Sequence, residues 1–350
     1  MQRRWLLGGA VGIGAGWVLA NGVYRRMGSS ARPADGGVTD VRTDGQSGIS
    51  EQASGTACTS PLVASPKPAR HSGPTDVTFL LISDLHFGAY MNGEPLEPVV
   101  YRAVDAMNEL RGLTYPSALG GRVGDIRGVL AAGDLTEDGR PWEWNRFVET
   151  MGLTGKEGRL RYPMFESLGN HDGNDESKSV RRGIEGRHGS IHYAWSWDAL
   201  RIYCLSDGPD DDILDWMQTD LATLPPETKI LVYQHFPLAG SYSTGTWFGD
   251  GDYRQKLGRV LEGHDVLGIF HGHFHATGHY RFRGHDVYLA GSPKHSWRSF
   301  LVVRVTDERM QVAAYNYERS IWWWWHDKPL IPQGTPERFH YPSDAQFVRA

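Results

Sequence analysis

Cysteine is nearly absent from this chain: 350 residues carry two. Cys58 lies in a Ser/Gly/Thr-rich stretch and Cys204 in the apolar run LRIYCLSD, so both are read as unpaired thiols. No apolar run precedes Cys58, which argues against a lipidated cysteine there. An excess of basic charge is also missing, with 36 Lys and Arg against 41 Asp and Glu and a net charge of −5. That excludes the electrostatic footprint of a nucleic-acid binder. No internal repeat is visible, which excludes solenoid architectures. Residues 27–75 have few large apolar side chains and cannot bury enough surface to offset the entropy of ordering, so they read as a disordered linker. What is present is 40% hydrophobic residues, enough for a full core, and thirteen tryptophans, more than a core alone needs.

The N-terminus reads as an address. MQRRWLLGGAVGIGAGWVLANGVYRR has a basic start, an apolar middle and a small-residue site near Ala20. Arg3 and Arg4 before Trp5, Leu6 and Leu7 are similar to a twin-arginine signal. The competing reading is a membrane anchor, because residues 5–24 carry no charge and at ~1.5 Å per residue just span a ~30 Å hydrocarbon layer. Either way residues 1–26 predict an exported, periplasmic or membrane-anchored protein. Cleavage and retention stay open.

From Asp76 the pattern alternates between short buried runs and helical periodicity. VTFLLISD, RGVLAAGD and YPMFESLGN read as strands, with helices over 97–110 and 141–151 between them. HYAWSWDALRIYCLSD reads as two adjacent strands, DDILDWMQTDLATLP as a helix with an acidic start, and KILVYQH and DVLGIFHGH as further strands. Short strands follow: HYRFR, DVYLAGS, SFLVVRVT and MQVAAYNY. This is a layered α/β domain with a mixed sheet, expected over 76–320. The remaining 321–350 opens on IWWWWHD and is set apart as a Trp-rich C-terminal extension. As a regular strand, that run would place Trp322 and Trp324 on one face and Trp323 and Trp325 on the other, against the core or against a lipid-like substrate.

The polar residues have a telling position. Asp84, Asp134, Asn170, His235 and His273 each fall at or just past the end of an apolar strand, where open α/β sheets bind their ligands. In FHGHFHATG, His271, His273 and His275 alternate. The blocks SDLHFG, AAGDLTEDG, LGNHDG, YQHFP and HGHFH, in that order, resemble the signature of the calcineurin-like metallophosphoesterase superfamily: D-x-H, G-D, G-N-H-D/E, a lone His and G-H-x-H. The resemblance covers roughly residues 77–305, and ISDLHFG with GNHD looks more like its bacterial phosphodiesterase-type branch.

The resemblance implies a four-layer α/β/β/α sandwich and a dinuclear metal site. Carried over, Asp84, His86 and His275 bind one ion, Asn170, His235 and His273 the other, and Asp134 bridges them. Mixed N and O ligands suit two divalent transition-metal ions such as Mn, Fe or Zn. Two ions ~3.5–4 Å apart can hold a hydroxide and orient a phosphoryl group for in-line attack. His171 has the implied role of general acid for the leaving oxygen, or of a cation stabilising the transition state. Glu137 lies where some relatives carry a carboxylate that orients this histidine. Because position 137 is Glu rather than Tyr, an iron–tyrosinate centre of the purple acid phosphatase kind is not expected. His271, His188 and His192 are read as structural, and Asp125 of VGDIRG as a chance match because it precedes its strand. Trp247 and Phe248, in a Gly-rich loop after His235, are candidates for a wall over the substrate. The expected function is an exported phosphoesterase acting on a small, lipid-derived or nucleotide-derived phosphate ester. A phosphomonoesterase and a non-catalytic metal-binding envelope module are the alternatives.

Overall fold

The computed structural model describes residues 73–239, 252–294, 298–331 and 336–341. The signal, the linker and the loop bearing Trp247 and Phe248 lie outside the described residues. In chain order the elements begin β1 (Asp76–Ile82), β2 (Tyr90–Met91), β3 (Glu94–Pro95), α1 (Glu97–Glu109), β4 (Ile126–Ala131), α2 (Pro141–Met151) and β5 (Met164–Glu166). A single 3-10 turn over His171–Gly173 leads to α3 (Ser179–His188), β6 (Tyr193–Trp197), β7 (Leu200–Cys204), α4 (Asp211–Leu221) and β8 (Lys229–Gln234). Then come α5 (Asp252–Val260), β9 (Asp265–His271), β10 (Thr277–Phe282), β11 (His285–Ala290), β12 (Ser299–Thr306), β13 (Arg309–Asn316), β14 (Ile321–Pro329) and β15 (Arg338–His340).

Two mixed sheets pack face to face between helices, the four-layer α/β/β/α sandwich. The larger has the order β15-β14-β13-β12-β1-β4-β5 and the smaller β10-β11-β9-β8-β7-β6. The period of two along a strand decides which layer each side chain joins. In β8, Leu231 and Tyr233 enter the core between the sheets, together with Phe79, Phe270 and Tyr288. Ile230 and Val232 point the other way, onto Ile213, Leu214 and Met217 of α4 and Leu257 of α5. On the opposite flank, α1 buries Val99, Val100, Ala103, Val104 and Met107, the stripe that a 3.6-residue period predicts. Among the described residues no helix is long and apolar enough to cross a membrane.

The sheet does not stop at residue 320. The Trp-rich run is β14, paired antiparallel with β13. Nor does it alternate strictly. Ala314 pairs with Trp324 and Tyr315 with Trp322, so Trp323 is the extra residue of a bulge. Trp324 is fully buried, while Trp322 stacks near Tyr115 at 5.2 Å and donates its indole N–H to Thr114 O. Trp323 turns out beneath the Arg319 guanidinium. The helices α3 and α5 had no clear signal in the sequence: both are polar, and two glycines interrupt α3. His188, at the end of α3, pairs with buried Glu166 at 3.1 Å and stacks on Tyr193. His192 leans on Trp216. Asp125 is exposed and pairs with Arg111.

Candidate metal centre

Parallel strands β1, β4 and β5 of one sheet and β8 and β9 of the other end at a common edge, and the candidate ligands leave from those ends. The structure gathers them into two groups that share one residue. Asp84, His86, Asp134 and His275 offer atoms all within 4.8 Å of one another, and Asp134, His235 and His273 do the same. Asn170 joins the second group, its Oδ1 lying 3.1 Å from His235 Nε2. Asp134 Oδ2 is 3.7 Å from His86 Nε2 on one side and 3.3 Å from His235 Nε2 on the other.

The backbone is bent to make this possible. Asp84, His86, Asp134, His273 and His275 all have positive φ, between 46° and 71°. Side chains other than glycine rarely accept that region, and such strain gathers at functional sites. The glycines before the ligands have a related purpose. A Cβ on Gly133 would sit 2.6 Å from His235 Nδ1, and one on Gly169 would overlap the backbone of Asp134. Only glycine lets the strand ends come this close.

The donor set fits cations. His86 Nε2 faces His275 Nε2 at 3.2 Å, and His273 Nδ1 faces His235 Nε2 at 3.2 Å. At most one nitrogen of each facing pair can carry a hydrogen, so lone pairs converge on the same space. Burial pushes the Asp84 carboxyl up to about 7, against the pull of His235 and with the push of the Asp134 charge. Burial opposes ionisation of Asp134 too, but His235, and then His86 and His171, hold it well below the usual carboxylate range. His235 is the counterpart: burial would lower it, yet the Asp134 charge and hydrogen bond carry it up to about 10. Burial, then the nearby His235, drops His273 to about 3. A desolvated set of carboxylates and imidazoles of this kind favours a cation bound among them.

Glu137 is where the expected side-chain contact differs. Its carboxylate lies within 4.8 Å of a His171 ring nitrogen but makes its ion pairs elsewhere. Glu137 Oε2 stands 2.7 Å from His86 Nδ1 and 3.1 Å from Lys294 Nζ. The His86 contact, ahead of Lys294, lowers this carboxyl to about 2. The His171 ring is instead oriented by the backbone carbonyl of Glu137, 2.6 Å from Nδ1, while the backbone N–H of His171 donates to Asp134 Oδ1. Its ring centroid lies 4.7 Å from that of His86, beside the ligand groups. His271 is fully buried, held by Gly272 O and the Tyr280 hydroxyl, and burial drops it to about 4. It stands apart from the ligand groups.

Two supporting residues escaped the sequence reading. Asp172, fourth in GNHD, is buried and accepts the N–H groups of Leu135, Thr136 and Gly169 and the Thr136 hydroxyl, fastening the loops that carry Asp134 and Asn170. Its place in the motif was the available signal. Lys294, in GSPKHS, had none.

The calcineurin-like phosphoesterase family model matches residues 77–277, more than half of the chain, and the chain belongs to that family. It is a phosphoric ester hydrolase. Over 219 residues it is 27% identical to a probable cyclic nucleotide phosphodiesterase of Rhodococcus erythropolis, covering 60% of this chain and 69% of that one. Over 237 residues it is 27% identical to a cAMP/cGMP dual specificity phosphodiesterase of Mycobacterium tuberculosis, covering 65% and 70%. Among solved structures, GAP50, the anchor in the inner membrane complex of Plasmodium, superposes with a TM-score of 0.52 at 12% identity over 74% of this chain and 90% of that one. That likeness shows the fold.

Proposed function

We propose that the chain is a dinuclear metal-dependent phosphodiesterase for a small phosphodiester, with cyclic nucleotides the first class to test. The observation that carries this is the pair of ligand groups sharing Asp134. Asp84, His86 and His275 would hold one ion and Asn170, His235 and His273 the other. When bound, two such ions supply the positive charge that aligns a phosphoryl group and a water for in-line displacement. Asn170 is a neutral oxygen ligand where a carboxylate would add negative charge, leaving more net positive charge for an anionic ester.

The protein's own contribution is orientation and a proton. The Glu137 carbonyl accepts the Nδ1–H of His171, so in the imidazolium form Nε2 of this half-buried residue is the atom that gives its proton to the leaving oxygen, returning the ring to the neutral Nδ1–H tautomer. Asp172 keeps the two loops in register. The names of the relatives support a diester substrate over a monoester. The paired arginines support export of the folded, ion-loaded chain, and Arg3→Lys with Arg4→Lys should hold it inside the cell.

The test is hydrolysis of cyclic AMP, bis(p-nitrophenyl) phosphate and p-nitrophenyl phosphate by protein loaded with Mn, Fe or Zn. Preference for the diesters supports the reading. Faster turnover of the monoester would replace it with a phosphomonoesterase.

A further inference from the structure

We infer that Lys294 and Glu137 form a positioning pair that locks His86 as a ligand of the first ion; this rests on the dinuclear reading above. The two sides of the centre secure their histidines differently. His235 Nδ1 meets the backbone carbonyl of Ala132 at 2.8 Å, and a carbonyl at the end of β4 needs no further support. His86 Nδ1 meets a side-chain carboxylate, which does. Glu137 Oε2 lies between His86 Nδ1 at 2.7 Å and Lys294 Nζ at 3.1 Å.

A carboxylate this close to Nδ1 favours the hydrogen there, which leaves the lone pair on Nε2 of His86. That atom is the one facing His275 and Asp134. His86 is completely buried, whereas Glu137 and Lys294 are partly open, at 30% and 18% exposed. The pair forms the outer wall behind the ligand.

Lys294 is itself anchored to the centre. Ser292 Oγ donates to Asp84 O at 3.0 Å and accepts the Lys294 N–H at 2.9 Å. Gly291 O accepts the Ser83 N–H at 2.9 Å. The segment after β11 therefore clips onto the end of β1, next to Asp84, and projects one ammonium onto Glu137. Because the Glu137 carbonyl orients His171, the same residue sets the first ligand histidine and the proton donor. Lys294 lies beyond residues 77–277, outside the family match.

A positioning role and a bare charge predict opposite results. Removing a cation near a metal site should tighten metal binding by relieving repulsion. Removing the support of Glu137 should loosen it. The full chain, stripped of ions, is titrated with Mn²⁺ by calorimetry and with Co²⁺ by visible absorption, which reports ligand geometry. Glu137→Gln should weaken the Asp84–His86 site by about 10- to 100-fold, the usual effect of losing such a support. Lys294→Met should weaken the same site several-fold and change the Co²⁺ spectrum, with Lys294→Arg restoring both. Far-ultraviolet circular dichroism without ions verifies folding, and Lys294→Met, outside both apolar clusters, keeps the test open should Glu137→Gln misfold. Tighter Mn²⁺ binding by Lys294→Met, or unchanged affinity and spectrum, overturns the inference alone. A wild-type chain that binds no ion overturns the dinuclear reading with it.

Discussion

Among the described residues, two regions each gather three or more histidines and carboxylates, and they do opposite things with them. At the strand ends, Asp84 and Asp134 meet imidazoles, the Ser83 hydroxyl and the backbone N–H groups of His273 and His171, with no lysine or arginine paired to either among the described residues, on a backbone bent into left-handed geometry. On the strands themselves, His279 of β10, Asp286 of β11 and His326 of β14 also bring ligand-type atoms within 4.8 Å of one another. There the cations are built in. Asp286 takes Lys328 at 2.7 Å, Arg281 at 3.1 Å and His279 at 2.9 Å. His326 is held by the Tyr288 hydroxyl at 2.7 Å and Glu337 at 2.9 Å, next to β15. None of its three members has a positive φ. Among the described residues, the same residue types make a candidate metal centre where no lysine or arginine pairs with the aspartates, and a fastening between strands where lysine and arginine do.

The comparison breaks most directly at its two aspartates. Asp134→Asn should cut hydrolysis by about 10³-fold or more, since both ions lose their shared ligand and several kcal/mol of charge stabilisation go with it. Asp286→Asn should leave turnover untouched. Its cost should appear in a denaturant titration as about 3 kcal/mol, because Lys328 and His279 lose their buried partner. Equal activity losses in both variants would erase the distinction.

Within the first region, His171→Ala should keep the metal content while losing roughly 10²–10⁴ in turnover. The loss should shrink on p-nitrophenyl esters, whose leaving oxygen departs without a proton. A variant that sheds its ions would place His171 among the ligands instead.

The second region should also be sensitive to acid. Burial, ahead of its charged neighbours, holds His326 down at about 3. The unfolded chain takes up that proton near the ordinary 6.5, so this contribution is complete above 6.5 and is lost as pH falls toward 3. Asp286, held below its ordinary value by His279 and Lys328 against the effect of burial, adds loss in the same direction. His326→Gln should lose about 2 kcal/mol less stability than wild type between pH 7 and pH 5. An identical pH slope would contradict this.

The smallest effect concerns Glu143. Its buried carboxylate accepts the N–H groups of Asp138 and Arg140, holding the loop that carries Glu137. Glu143→Gln keeps the shape with a weaker acceptor, so melting should shift by the equivalent of about 1 kcal/mol with little change in metal affinity. A loss of affinity matching that of Glu137→Gln would extend the positioning wall to α2.

How much of this was legible depends on how the residues are distributed along the chain. Each candidate ligand sits in a short contiguous block after an apolar strand, so Asp84, Asp134, Asn170, His235 and His273 could be read from position alone. Glu137 was found by spacing, but spacing does not tell which atom faces which neighbour. The carboxylate went to His86 and the carbonyl to His171. The His279–Asp286–His326 group comes from three strands with no local pattern. Lys294 depends on a loop folding back onto β1. The Trp323 bulge arises from pairing with β13, which no periodicity within IWWWWHD contains.

The central claim is that the strand-end cluster, and not the cluster on the strands, is the metal centre. Metal content per chain, measured by plasma emission spectrometry after loading and desalting, tests it most directly. The account predicts two ions in the wild type, two in Asp286→Asn, and a loss of both in Asp134→Asn. Ions that stay in Asp134→Asn and leave in Asp286→Asn would contradict it.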